Sequence, residues 1–299
     1  MTAARLLRAG LLAALLPAAA AGATVSATDD SGRVVTLAAP AARIISLAPH
    51  ATELLFAAGA GARVVGVSAY SNFPAEASRL PSVGDAMRAD MERIIALKPD
   101  LIVGWKSGNN PAQLERLRAL GLPVFDSEPR QFDDIASSLE RLGALAGTVE
   151  GRAAAARFRA DLRALRERYS ARKPVRVFYQ IWPSPLMTLN DAHIVSEAIR
   201  LCGGVNLFGK LAPLVPTVSR EAVLKADPEA IFVSDEDAQA FGRWRGYGNL
   251  TAMRNDSLFR IDGGVMNRAG PRMLGATALL CEQIDAARRK QTTTLRRTQ

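Results

Sequence analysis

The chain is poor in the residues that enzymes and metal receptors use. It holds two histidines, His50 and His193, and two cysteines, Cys202 and Cys281, in 299 residues. A bare zinc or manganese site needs three or four converging ligands, so this scarcity argues against a free-ion receptor. No GxSxG elbow, P-loop or HExxH run occurs, which leaves acyl transfer, phosphoryl transfer and zinc hydrolysis without their usual machinery. Aromatics are scarce, at 6%, and do not alternate with basic residues as a base-stacking surface would require. Beyond the first two dozen residues no apolar run approaches the roughly 20 residues of a spanning helix. The expectation is therefore no catalytic residue, no protein-held metal, no cofactor, no enzyme and no nucleic-acid partner.

The net charge of +9 loses its meaning once it is located. Arg5 and Arg8 precede the apolar run Ala9–Leu16 and the small-residue site Ala21-Gly22-Ala23, the order of a cleavable export signal. Arg288, Arg289, Lys290, Arg296 and Arg297 fall in a polar tail, and removing these seven charges leaves +2 for the body. Residues 1–23 are read as a signal peptide, with an uncleaved anchor as the alternative, and 288–299 as a basic disordered tail. No cysteine lies near the cleavage point, so a soluble, exported protein without a lipid anchor is expected. Export permits disulfides, and two cysteines offer one pairing, Cys202–Cys281, against two buried free thiols.

Between leader and tail the chain alternates strand and helix. Residues 24–41 read as a polar lead-in. Apolar strands at 43–48, 64–67, 101–103 and 124–125 are separated by helices at 53–58, 91–97, 113–120 and 132–146, with Thr52 read as the cap of the first. From Thr148 to Ala171, Phe158, Leu162, Leu165 and Tyr169 recur at i, i+4, i+7 and i+11, the seam of a helix roughly 35 Å long. Thr148 suits its N-cap and Pro174 its stop. Alternation then restarts with strands at 175–180, 231–233 and 259–261 and helices at 194–201, 219–225 and 273–287. Met91–Val103 (MERIIALKPDLIV) is answered by Arg220–Val233 (REAVLKADPEAIFV), each with a glutamate near the start of a short helix and a proline seven residues on. The reading is α/β, two Rossmann-like lobes with parallel sheets, 24–147 and 174–287, joined by one backbone helix at 148–173.

Two such lobes bind ligands between them, on loops at the carboxyl ends of the strands. The loops so placed carry His50, Tyr70, Phe73, Trp105, Trp182, Met187, Met266 and Arg268. This apolar and aromatic lining suits a large flat ligand; packing of the lobe interface is the alternative. His50, in a strand-to-helix turn, is the candidate to touch a ligand's metal centre, against a plain structural role. His193 opens a helix and reads as solvated or capping.

The segments Arg43–Leu55 (RIISLAPHATELL), Val64–Tyr70 (VVGVSAY), Leu97–Val103 (LKPDLIV), Leu201–Gly204 (LCGG) and Val218–Glu221 (VSRE), with the leader and the mid-chain helix, resemble the helical-backbone (class III) periplasmic solute-binding proteins. Within that family the chain is most similar to the cobalamin-binding receptors of ABC-type vitamin importers, over nearly the whole mature length. The resemblance implies a monomeric periplasmic receptor that holds cobalamin or a related corrinoid between its lobes and docks on a permease dimer with its ATPase. It implies docking through Glu92 and Glu221 and a disulfide at Cys202 and Cys281. It also implies ligand contacts at Tyr70, at Trp105 and along Gly264, Val265, Met266, Asn267 and Arg268, to which the first-turn His50 is added. Where those receptors carry further aromatics this chain has Ala86, Met187 and Val215, so haem or a ferric siderophore stays open.

Overall fold

A computed structural model describes residues 23–169, 171–234 and 238–297. The leader at 1–23 lies outside these apart from Ala23.

The lead-in is more ordered than its polarity suggests. β1 (Val25–Thr28) and β2 (Val34–Leu37) form an antiparallel hairpin whose Val35 and Leu37 are buried. The first lobe continues with β3 (Ile44–Ser46), α1 (Pro49–Ala57), β4 (Val64–Val67), α2 (Met91–Ala96), β5 (Leu101–Trp105), α3 (Pro111–Ala119), β6 (Val124–Ser127) and α4 (Phe132–Ala146). α1 begins four residues before the expected start, because Pro49 occupies its first turn with Ala48 as N-cap. Thr52 is therefore inside the helix, and its hydroxyl donates to Ser46 Oγ and to the Ala48 carbonyl instead of capping.

α5 (Glu150–Tyr169) follows. It buries Phe158, Leu162 and Tyr169, three of the four residues of the expected seam, and Leu165 packs against the core part-buried. Thr148 does not cap it; that hydroxyl donates to the Ala58 and Gly143 carbonyls. Arg159 forks onto Glu140 of α4 at 2.5 and 2.9 Å.

The second lobe runs through β7 (Val175–Gln180), β8 (Trp182–Pro183), β9 (Leu186–Met187), α6 (Ile194–Leu201), β10 (Gly204–Asn206), α7 (Arg220–Ala226), β11 (Ala230–Ser234), α8 (Ala238–Arg245), α9 (Thr251–Arg254), β12 (Leu258–Ile261), α10 (Gly263–Met266) and α11 (Met273–Arg297). The four-stranded sheets run β4-β3-β5-β6 and β10-β7-β11-β12, all parallel. In both, the second strand in sequence lies outside the first, and the third and fourth follow on the other side. The duplicated phrase thus occupies the same place twice, as α2–β5 in one lobe and α7–β11 in the other. Asp90 and Ser219 cap these helices, accepting from the Arg93 and Ala222 N–H groups. Both end beside a residue with positive φ, Lys98 at 48° and Asp227 at 43°.

The basic stretch after 287 corrects the expectation of disorder, since α11 runs on to Arg297. Arg288 donates to the Lys173 and Cys202 carbonyls at 2.6 and 3.1 Å, and Lys290 to the Asp256 carbonyl at 2.5 Å. Cations near a helix C-terminus also complement its dipole. His193 is the N-cap of α6, its Nδ1 accepting the Val195 N–H at 3.2 Å.

Cys202, at the end of α6, is bonded to Cys281 of α11, 79 residues away. Closing a loop of that length removes unfolded-chain entropy worth roughly 4 kcal/mol. Replacing both cysteines by alanine is expected to lower the unfolding free energy by that order in a denaturant melt. An unchanged midpoint contradicts the bond's structural role.

Candidate functional site

The carboxyl ends of the two sheets meet through side chains. On the side nearer α5, Glu197 of α6 accepts the Phe132 N–H of α4 at 2.8 Å and pairs with Arg166 of α5 at 3.1 Å. On the side of the strand-end loops, Arg268, just after α10, donates to Asn72 Oδ1 at 2.8 Å, and Arg272 forks onto Glu53 of α1 at 2.5 and 3.0 Å. The Arg272 guanidinium also lies 4.0 Å over the Phe73 ring. Glu53, Phe56, Phe73, Pro74, Pro271 and Arg272 line a concavity of about 490 Å³ at this junction. A second, of about 380 Å³, opens beside Gln180, Trp182 and Ser234 at the ends of β7 and β11.

Two aromatics stand out on the first lobe. Tyr70 follows β4 and is 79% exposed, with φ at 65°, a left-handed conformation that a tyrosine adopts only under constraint from its surroundings. Trp105 closes β5 and is half-buried. Its backbone N–H donates to Asn109 Oδ1 at 2.6 Å, while Asn109 Nδ2 donates to the Leu47 and Ala86 carbonyls, both at 3.0 Å. One buried amide therefore ties three strand-end loops together. Gly108 lies flat against the indole, where a Cβ would stand 2.0 Å from the ring. The Trp105 ring has one face against Gly108 and a second ring set perpendicular to it.

That perpendicular ring is His50. It sits in the first turn of α1, buried, with its ring 5.6 Å from Trp105 in an edge-on arrangement and Nε2 3.1 Å from Ser127 Oγ. The structure thus places His50 behind Trp105, where it braces the indole, and not on an open surface. Burial, helped by the positive charge of Arg268, lowers its pKa from 6.5 to about 4. Between those values the unfolded chain binds more protons than the folded one, so stability is complete above pH 6.5 and falls as pH drops towards 4. The loss is worth about 3 kcal/mol for a shift of that size. His193, lowered to about 4 by burial, adds to the same window. His50→Gln is expected to weaken the acid dependence of denaturant midpoints between pH 7 and 4.5, and an unaltered slope contradicts this account.

Of the expected contact segment, Gly264, Val265, Asn267 and Arg268 are half-buried and Met266 is fully buried. α10 is opened by Asp262, whose side chain accepts the Val265 N–H, and Tyr179 OH donates to Asn267 Oδ1 at 2.8 Å. Arg268 reaches the same junction as Asn72, while Tyr70 and Trp105 stand at the ends of neighbouring loops. Sequence reasoning did not single out Glu53, Asn72, Asn109 or Arg272. None carries a local motif; each is defined by a partner from another loop.

Glu92 and Glu221 are exposed, each the second residue of its helix, α2 and α7. The backbone N–H of Glu221 and the Ser219 side chain hold the Glu221 carboxyl below its usual range. Among the described residues no cluster of three or more His, Cys, Asp or Glu is placed to hold a metal ion.

The model of the family described as periplasmic binding protein matches residues 44–264. The vitamin B12-binding protein of Vibrio cholerae serotype O1 is 40% identical over 253 residues, covering 84% of this chain and 92% of that protein. That of Yersinia pestis is 40% identical over 257 residues, covering 84% and 89%. The crystal structure of the periplasmic vitamin B12 binding protein of V. cholerae superposes with a TM-score of 0.79 at 42% identity, covering 83% of this chain and 98% of the other. A periplasmic heme-binding protein from Roseiflexus sp. RS-1 gives 0.72 at 27% identity, covering 82% and 98%. Paired parallel sheets, a single connecting helix and an aromatic junction between the lobes thus coincide with a family match spanning both, and the chain belongs to the periplasmic binding protein family.

Proposed function

We propose that this protein is a periplasmic receptor that captures cobalamin or a related corrinoid between its lobes and delivers it to an inner-membrane ABC permease and its ATPase. The similarity to vitamin B12-binding proteins at 40% identity, over nine-tenths of their length, carries the reading. The site's chemistry supports it. A corrin offers a broad apolar face edged with amides, and Tyr70 and Trp105 offer aromatic surface for the face. Gly264, Val265, Asn267 and Arg268 offer backbone and side-chain polar groups for the edge, with Met266 beneath them and His50 behind Trp105. The ligand is bound and released unchanged, so the protein works as a monomeric carrier and not as an enzyme.

Haem is the second reading, on the likeness to the heme-binding structure. Against it, His50 is buried and its Nε2 is engaged with Ser127, so the imidazole is not offered as an axial ligand. A cell lacking this protein is expected to lose high-affinity uptake of labelled cyanocobalamin and regain it when the exported chain is restored. Normal corrinoid uptake with impaired haem uptake would move the function to haem.

A further inference from the structure

Glu53 is a buried carboxylate between two arginines of the opposite lobe. Arg272 forks onto it at 2.5 and 3.0 Å, and Arg268 Nη1 stands 3.5 Å from Oε1. The chain between the arginines presses close, and a Cβ on Gly270 would lie 3.1 Å from Glu53 Oε2. Asp262 of the arginines' own lobe adds a negative charge near Arg272, and across the junction the two cations share one anion. Arg272, bidentate and stacked on Phe73, takes most of it. Arg268 is left with a longer contact to Glu53 and a hydrogen bond to Asn72, which is neutral and exposed. Its neighbour His50 is kept uncharged by burial and so adds no third cation. Arg268 is therefore held in place but incompletely neutralised, which is the condition for receiving an anionic group.

We propose that Glu53 is a positioning residue that holds Arg268 across the lobe junction, and that it thereby sets a preference for corrinoids bearing the phosphodiester of the nucleotide loop. This rests on the reading of the cleft as a corrinoid site. The phosphodiester is the anionic arm of cobalamin, and cobinamide lacks it, so the two ligands separate Arg268's role from general stacking on the ring. Truncating one partner of a buried charge pair exposes the rest of the cluster to rearrangement. Without the carboxylate, Arg272 and Arg268 repel each other and Arg268 loses its fixed direction.

The test is a titration of wild type, Glu53→Gln, Glu53→Asp and Asn72→Ala with cyanocobalamin and with dicyanocobinamide. Glu53→Gln is expected to weaken cyanocobalamin at least tenfold and dicyanocobinamide less than threefold, while Glu53→Asp, which keeps the charge, recovers most of the preference. Asn72→Ala, at an exposed position that folding tolerates, is expected to move the ratio the same way by a smaller factor. It decides the matter if Glu53→Gln does not fold. Equal losses for both ligands would make Glu53 a structural brace and overturn the inference, as would an unchanged ratio. If wild type binds both corrinoids and only the ratio fails to respond, this inference alone falls. If wild type binds neither, the corrinoid reading falls and takes the inference with it.

Discussion

Replacing Glu92 and Glu221 together by lysine is expected to cut corrinoid uptake severely and to leave corrinoid affinity unchanged. The expectation comes from placement. Each glutamate is the second residue of a short helix, one capped by Asp90 and the other by Ser219, and each helix feeds the third strand of its sheet. Both side chains are exposed. Two equivalent acids on two equivalent lobes match a partner that is itself two-fold, such as a permease dimer presenting one basic site per subunit. An exposed pair contributes little alone, so a single reversal is expected to slow transport only several-fold. The double reversal places two like charges at the docking face and is expected to cut transport by roughly two orders of magnitude or more, since like-charge juxtaposition costs several kcal/mol. Uptake by reconstituted transporter vesicles with purified receptor variants measures this directly. Normal transport by the double variant would remove the docking role, and a parallel loss of affinity would show that the lobes had been disturbed.

The second large effect concerns Trp105. Its backbone N–H is fixed by Asn109, and its indole lies against Gly108 and perpendicular to the His50 ring, which leaves little rotamer freedom to lose when a ligand arrives. A pre-set aromatic of this kind dominates binding, and truncating such an anchor typically costs 2 to 4 kcal/mol, about thirty- to a thousandfold. Trp105→Ala is expected to lose corrinoid affinity on that scale with little change in melting temperature, because the ring is only half-buried. Gly108→Ala tests the same point without removing the indole. Its methyl would overlap the ring, so the indole must swing aside, and a loss of at least tenfold is expected. Full affinity in Gly108→Ala would mean that the orientation of Trp105 does not matter.

Much of the architecture was legible because it is written in local signals. α4 was read at its true limits, Phe132–Ala146, where Gln131 and Asp134 form a capping box and Gly147 ends the helix with φ at 66°. α6 likewise was read at its limits, with His193 at its cap. β10 was missed, since its three residues, Gly204–Asn206, carry one apolar side chain and become a strand only by pairing with β7. The β1–β2 hairpin was missed for the same reason, its order coming from burial of Val35 and Leu37 against the body. The extent of α11 was misjudged because a polar sequence without turn residues fits tail and helix alike, and tertiary anchors at Arg288 and Lys290 decide it.

The candidate site was legible as a set of loops more than as a set of contacts. Tyr70 and Trp105 stand at or just past strand ends and Arg268 on the segment that follows β12, as expected from alternation alone. His50 was placed in the right turn, but its burial depends on Trp105 and Ser127 closing over it. Glu53 and Arg272 are 219 residues apart, and no local pattern in either segment announces their pairing.

The measurement that tests this account most directly is the titration of the mature protein's tryptophan fluorescence with cyanocobalamin, set beside haemin. Saturable quenching by cyanocobalamin at one site per chain, lost in Trp105→Ala, is the predicted result. Quenching by haemin with silence towards cyanocobalamin would contradict it, keeping the fold and moving the ligand to a different macrocycle.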